Sequence, residues 1–167
     1  SPQRNIEQEL EAAVYHGTHV AGLMVYDDPR IGFLPFRILP ANLRDSGLGD
    51  SASRVLNAIT LALQSGARVI NMSLGVNGRA PFDETFIEFR DKMAELARSH
   101  PNVVFVVAAG NDGAWLDGKN KATLPCDVDV DNILCVSTLN LKDQPASFTN
   151  ISLSRNEVVF ALGESVI

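Results

Sequence analysis

Three short segments carry side chains whose types and spacing could do chemistry. The first is His16-Gly17-Thr18-His19-Val20-Ala21-Gly22. A histidine ahead of Gly-Thr, opening an apolar helix, would sit near the positive end of the helix dipole. That position disfavours the imidazolium and keeps the ring available as a general base. A cap or a surface histidine fits the same residues. His16 and His19, at i, i+3, could also share a metal ion, although no third ligand and no HExxH pattern accompanies them. The second segment is Val107-Ala108-Ala109-Gly110-Asn111-Asp112-Gly113. An asparagine after a buried strand either serves a turn, since it tolerates left-handed geometry, or donates its amide to a developing oxyanion. The third is Ile70-Asn71-Met72-Ser73-Leu74-Gly75. It reads as a strand running into a turn, or as a backbone edge that pairs with an extended peptide, Gly75 permitting close approach.

The elements that must position these groups alternate along the chain. FLPFRI at 33–38 reads as a short strand, with Pro35 favouring an edge or an end. Residues 51–65 carry Val55, Leu56, Ile59 and Leu63 at helical spacing, with Ser51 or Ser53 as cap and Gly66 as stop. ARVINMS at 67–73 is a buried strand. Residues 83–99 form a second helix capped by Asp83, with Phe86, Phe89, Met93 and Leu96 on one stripe. VVFVVAA at 103–109 is the strongest strand signal. ILCVST at 133–138 and a weaker strand at 158–162 follow. This alternation predicts an α/β fold: a mainly parallel β-sheet with right-handed crossovers and helices on both faces. Sites in such sheets form at the carboxyl ends of strands, where the second and third segments lie. Residues 1–14 read as a polar lead-in with a short helix over 7–14, and 15–167 as one domain.

Composition narrows the partners. The 167 residues carry 14 Lys+Arg against 20 Asp+Glu, a net charge of −6, so no clustered cations point to nucleic acid. No apolar run reaches the roughly 18–20 residues that a membrane span needs. Two cysteines, Cys126 and Cys135, exclude a disulfide-dense scaffold and most four-ligand zinc sites. They are either a local disulfide or two buried thiols. Asp127, Asp129 and Asp131 alternate in CDVDVDN, which fits a solvated acidic loop better than a calcium site, because the EF-hand glycine and final Glu are absent.

Taken in order, HGTHVAG, a strand ending NMSLG, a strand ending AAGN, and Ala146-Ser147-Phe148 resemble the subtilisin-like serine proteases, over roughly residues 15–167. The resemblance implies a three-layer α/β/α subtilisin-like fold and hydrolysis of peptide or protein substrates by a Ser-His-Asp mechanism. It implies that His16 is the general base, that His19 is the motif's second histidine, and that Asn111 is the side-chain donor of the oxyanion hole. Ser73, Leu74 and Gly75 would form one wall of the P1 pocket and bind substrate backbone; Ala108, Ala109 and Gly110 would form the opposite wall. Gly47-Leu48-Gly49 would supply a second backbone strand beside the substrate, with Gly49 at its end. Thr123 would lie at the pocket floor, where a β-branched side chain disfavours large aromatic P1 groups. The Leu124–Pro125 bond would be cis. No cofactor or metal is implied for this chain, calcium being common in the family, and a secreted or extracellular protein is expected.

The departures are as specific. The family's Asp lies on a strand upstream of the histidine, in a D-T/S-G motif, and none of residues 1–15 is Asp. Its Ser motif, G-T-S-M-A, follows the segment matched here by 158–167, and Ser165 lacks the second glycine of a nucleophile elbow. Leu162 stands where the family has Pro. The sequence therefore reads as the central part of a subtilase catalytic domain, inactive on its own, or as a catalytically dead binding or scaffold relative. The family's Asp strand runs between the strands matched by 33–38 and 67–72. Without it those two could pair directly, another chain could fill the gap, or two copies could associate; self-association or a complementary fragment is the expectation.

Overall fold

The computed structural model describes residues 6–28, 30–38, 48–153 and 158–163. The chain divides into two compact units, residues 1–37 and 38–167. Among the described residues no helix is long and apolar enough to cross a membrane.

In the first unit, helix α1 runs from Ile6 to Val25 without a break. The sequence suggested two helices, the second opening at His16. The reason for one is local: Glu, Gln, Leu and Ala fill positions 7–13, all good helix formers, and neither Gly nor Pro intervenes before Gly17. The strand expected over 33–38 does not form. Residues 31–38 have no regular secondary structure, and 33–37 are exposed. Pro35 has no N–H to give a ladder, which argues against a paired strand through it.

The second unit holds helices α2 (Leu48–Gln64) and α3 (Glu84–Ser99) and strands β1 (Val69–Met72), β2 (Val76–Arg79), β3 (Val104–Ala108), β4 (Trp115–Leu116), β5 (Lys121–Leu124), β6 (Ile133–Leu139), β7 (Ile151–Ser152) and β8 (Val158–Leu162). Its central sheet has the order β1-β3-β6-β8, with every pairing parallel. Two small ribbons accompany it, an antiparallel pair of β2 with β5 and a parallel pair of β4 with β7. The helices begin and end where local chemistry dictates. The Asp83 carboxylate accepts the Phe86 N–H at 2.8 Å and caps α3. Gly66, at φ +82°, follows the end of α2 in the left-handed conformation that glycine adopts without cost. Because α2 starts at Leu48, Ser51 and Ser53 lie inside the helix rather than capping it.

Strand alternation sets the core. Phe105 and Val107 of β3 and Ile133 and Cys135 of β6 point to one face and are buried, together with Val55 and Ile59 of α2 and Phe86, Phe89, Met93 and Ala97 of α3. Val104, Val106, Leu134 and Val136 point to the other face and are only half-buried. Strand β1 pairs with β3 alone among the described residues, so its second edge carries no ladder. Cys126 and Cys135 form a disulfide, fully buried, with S–S at 2.04 Å. It joins the loop after β5 to the middle of β6.

Candidate active site

Parallel pairing of β1 with β3 places Met72 opposite Val107, so the segments that follow leave the sheet side by side. They are Ser73-Leu74-Gly75 and Ala108-Ala109-Gly110, the two expected walls. Leu124–Pro125 is cis, and the strand before it, β5, pairs antiparallel with β2, setting Thr123 opposite Asn77. Thr123 is buried. Its methyl would stand 3.0 Å from a Cβ added to Gly75 and 3.5 Å from one added to Gly110. Glycine at 75 and 110 is thus what lets both segments approach this methyl. The Asn71 amide donates to Ser73 Oγ at 3.0 Å, steadying the turn out of β1.

Thr123 and its surroundings are held by polar side chains. Thr123 Oγ1 donates to Asn77 Oδ1 at 2.7 Å, and its N–H donates to Asp127 Oδ2 at 2.7 Å. Asp127 Oδ1 accepts Ser152 Oγ–H at 2.6 Å, so the first acid of the CDVDVDN run is an internal strut. Asp112 Oδ2 accepts from Asn77 Nδ2 at 2.6 Å and from Asn150 Nδ2 at 3.1 Å. Farther out, the Asp117 carboxylate accepts N–H groups of Lys119, Asn120 and Lys121, led by that of Lys121, and is held far below the usual carboxylate range.

Gly110, at φ +101°, turns the chain out of β3 and leaves Asn111 exposed just beyond it. The site's other candidate, His16, lies with His19 well inside α1, both exposed, in the first unit. This corrects the helix-start expectation: dipole effects are confined to a helix's end turns, and His16 is more than two turns from Ile6. Gly49, expected in an extended segment beside the substrate, lies in the first turn of helix α2. Gly47 and Ser165 fall outside the described residues.

Sequence reasoning missed Asn77, Asp112, Asp127 and Asn150. Asn150 is fully buried, yet its only sequence signal is its place two residues after Ala146-Ser147-Phe148.

Comparison with known proteins gives the family. The family model described as "Subtilase family", peptidase S8, matches residues 2–163. A thermophilic serine proteinase of Bacillus sp. (strain AK1) is 31% identical over 140 residues, 81% of this chain and 31% of that protein. Subtilisin DY of Bacillus licheniformis is 33% identical over 156 residues, 90% of this chain and 52% of its own length. The chain thus spans from a third to a half of these relatives. The crystal structure of a lanthipeptide protease superposes with a TM-score of 0.70 at 21% identity, over 91% of this chain and 45% of that one, a likeness of fold. With the family's fold present and its sequence model matched almost end to end, the chain belongs to the subtilase family of serine proteases.

Proposed function

We propose that this chain is the central part of a serine endopeptidase catalytic domain. The observation that carries the reading is the side-by-side exit of 73–75 and 108–111 from adjacent parallel strands over the buried Thr123. An extended substrate pairs its backbone with Ser73-Leu74-Gly75. Its P1 side chain enters between that wall and Ala108-Ala109-Gly110 and stops at the Thr123 methyl. Asn111 donates to the oxyanion that develops on the scissile carbonyl. His16 takes the proton of a serine nucleophile and returns it to the leaving amine. The nucleophile, and the acid that orients His16, belong to segments beyond these residues, so the 167 residues alone are inactive. The buried disulfide favours an oxidising, extracellular setting.

The test uses the longer protein that contains this chain, assayed on a library of fluorogenic peptides varied at P1. Cleavage should favour small and mid-sized P1 groups over Phe and Tyr. His16→Ala should remove most of kcat. Asn111→Ala should lower it less, by about 10²–10³, the loss known for such a donor in a subtilisin, the family's own reference case. Strong preference for Phe, or full activity in His16→Ala, would defeat the reading. The 167 residues themselves should show no turnover.

We also infer that the open edge of β1 is covered by a second copy or by the complementary part of the domain. Light scattering on the isolated chain should then show association; a stable monomer at all concentrations would count against it.

A further inference from the structure

We propose that Asn150 is a positioning residue, and that its buried side chain fixes the turn presenting Asn111. The inference rests on the endopeptidase reading and adds to it a residue that none of the motifs includes. Asn150 reaches both sides of Asn111. On the amino side, its backbone N–H donates to Gly110 O at 2.9 Å and its Nδ2 donates to Ala109 O at 3.1 Å. On the carboxyl side, its Oδ1 accepts the N–H groups of Asp112, at 3.0 Å, and Ala114, at 2.9 Å. One amide thus clamps the chain before and after the oxyanion donor. It is itself anchored to the sheet, since Ser137 Oγ of β6 donates to its carbonyl at 2.7 Å. Gly110 completes the fit: a Cβ there would come within 2.5 Å of Asn150 Nδ2, so the turn closes onto the amide only because residue 110 has none.

The chemistry explains why a turn needs such a clamp. An oxyanion donor acts because it is already aimed where charge will develop, at no reorganisation cost during the reaction. Asn111 is exposed and follows a left-handed glycine, a place where a turn would otherwise sample several conformations. Two main-chain bonds, Gly113 N to Phe148 O at 2.7 Å and Ile151 N to Ala114 O at 2.9 Å, hold the loop beyond the turn. The Asn150 side chain holds the turn itself.

The proposal is tested in the longer, active protein. Asn150→Ala should lower kcat at least about tenfold and at most as far as Asn111→Ala does, with a smaller change in KM, because the donor acts in the transition state. In the Asn111→Ala background it should add almost nothing, since both variants remove the same interaction. Unchanged kcat, or losses that multiply in the double variant, would overturn the proposal. If Asn150→Ala does not fold, Ser137→Ala releases the anchor and keeps the amide. Its smaller kcat loss should likewise vanish in the Asn111→Ala background, and a multiplying loss would overturn the proposal. Amide hydrogen exchange gives a readout independent of turnover. Exchange at Asp112 and Ala114 should accelerate in the variant, and unchanged exchange would overturn the clamp even if activity fell. A wild-type protein that cleaves no peptide defeats the endopeptidase reading separately, and exchange then still decides whether Asn150 holds the turn.

Discussion

The two faces of the central sheet are built from the same kinds of residue and end up differently. Phe105, Val107, Ile133 and Cys135 are buried on one face, with exposures of 0 to 1%. Val104, Val106, Leu134 and Val136 on the other are as apolar, yet half-buried, and Val69 beside them is 62% exposed. The contrast teaches that β-branched apolar sequence marks a strand meant for burial on both sides, as in parallel sheets generally. It does not say that both sides are equally covered. The sealed face is a finished core. The other face is half-open, and among the described residues the second edge of β1 carries no ladder.

The largest test of the contrast is a cavity on each side. Phe105→Ala should cost about 3–5 kcal/mol in urea unfolding, the usual range for removing a buried aromatic ring. Leu134→Ala should cost roughly half as much or less, since part of its surface already meets solvent. Equal costs would break the comparison and show the second face covered in solution.

Next in size is the disulfide, whose Cys135 sits on the sealed face. It closes a loop of sequence separation 9, so replacing both cysteines by Ala should lower stability by about 2–3 kcal/mol on loop-closure grounds. Stability unchanged by the replacement would show that burial of the two side chains, without the bond, suffices there.

The smallest effect sharpens the comparison furthest, because the two variants are chemically identical neighbours. Val107→Thr places a hydroxyl in the sealed core and should cost about 1–3 kcal/mol. Val106→Thr, one residue earlier and on the half-buried face, should cost clearly less, under about 1 kcal/mol. A reversed order would mean that the faces are assigned wrongly.

What was legible in the sequence was what short-range pattern encodes. The β-branched run of 103–109, the apolar stripe of 83–99 and the Asp83 cap each depend on neighbours within a few residues, and all three appear as expected. The strands that bring 73–75 and 108–111 side by side were legible through their apolar runs. The rest depends on distant partners. Strand β2, Val-Asn-Gly-Arg, has no strand pattern of its own; it exists because β5, over forty residues on, pairs with it. Gly78 shows the same dependence, since a Cβ there would meet the Phe86 ring at 2.6 Å. The Asn150 side chain bonds to residues 27 to 41 positions away, and nothing around it in sequence announces that. The 33–38 segment erred the other way. Its apolar run suggested a strand, while Pro35 withholds the N–H such pairing uses.

The pairing of Gly110 with Asn150 has a consequence for how this sequence can change over generations. A side chain at 110 collides with the amide at 150, so it can enter only after position 150 has become smaller. Even then the left-handed φ of +101° penalises every residue except glycine. A change at 150 to a residue without a side-chain oxygen, with glycine kept at 110, leaves two N–H groups without their acceptor. Each single step is therefore a loss, and the two positions, forty residues apart, should pass down lineages as one heritable unit rather than drift separately.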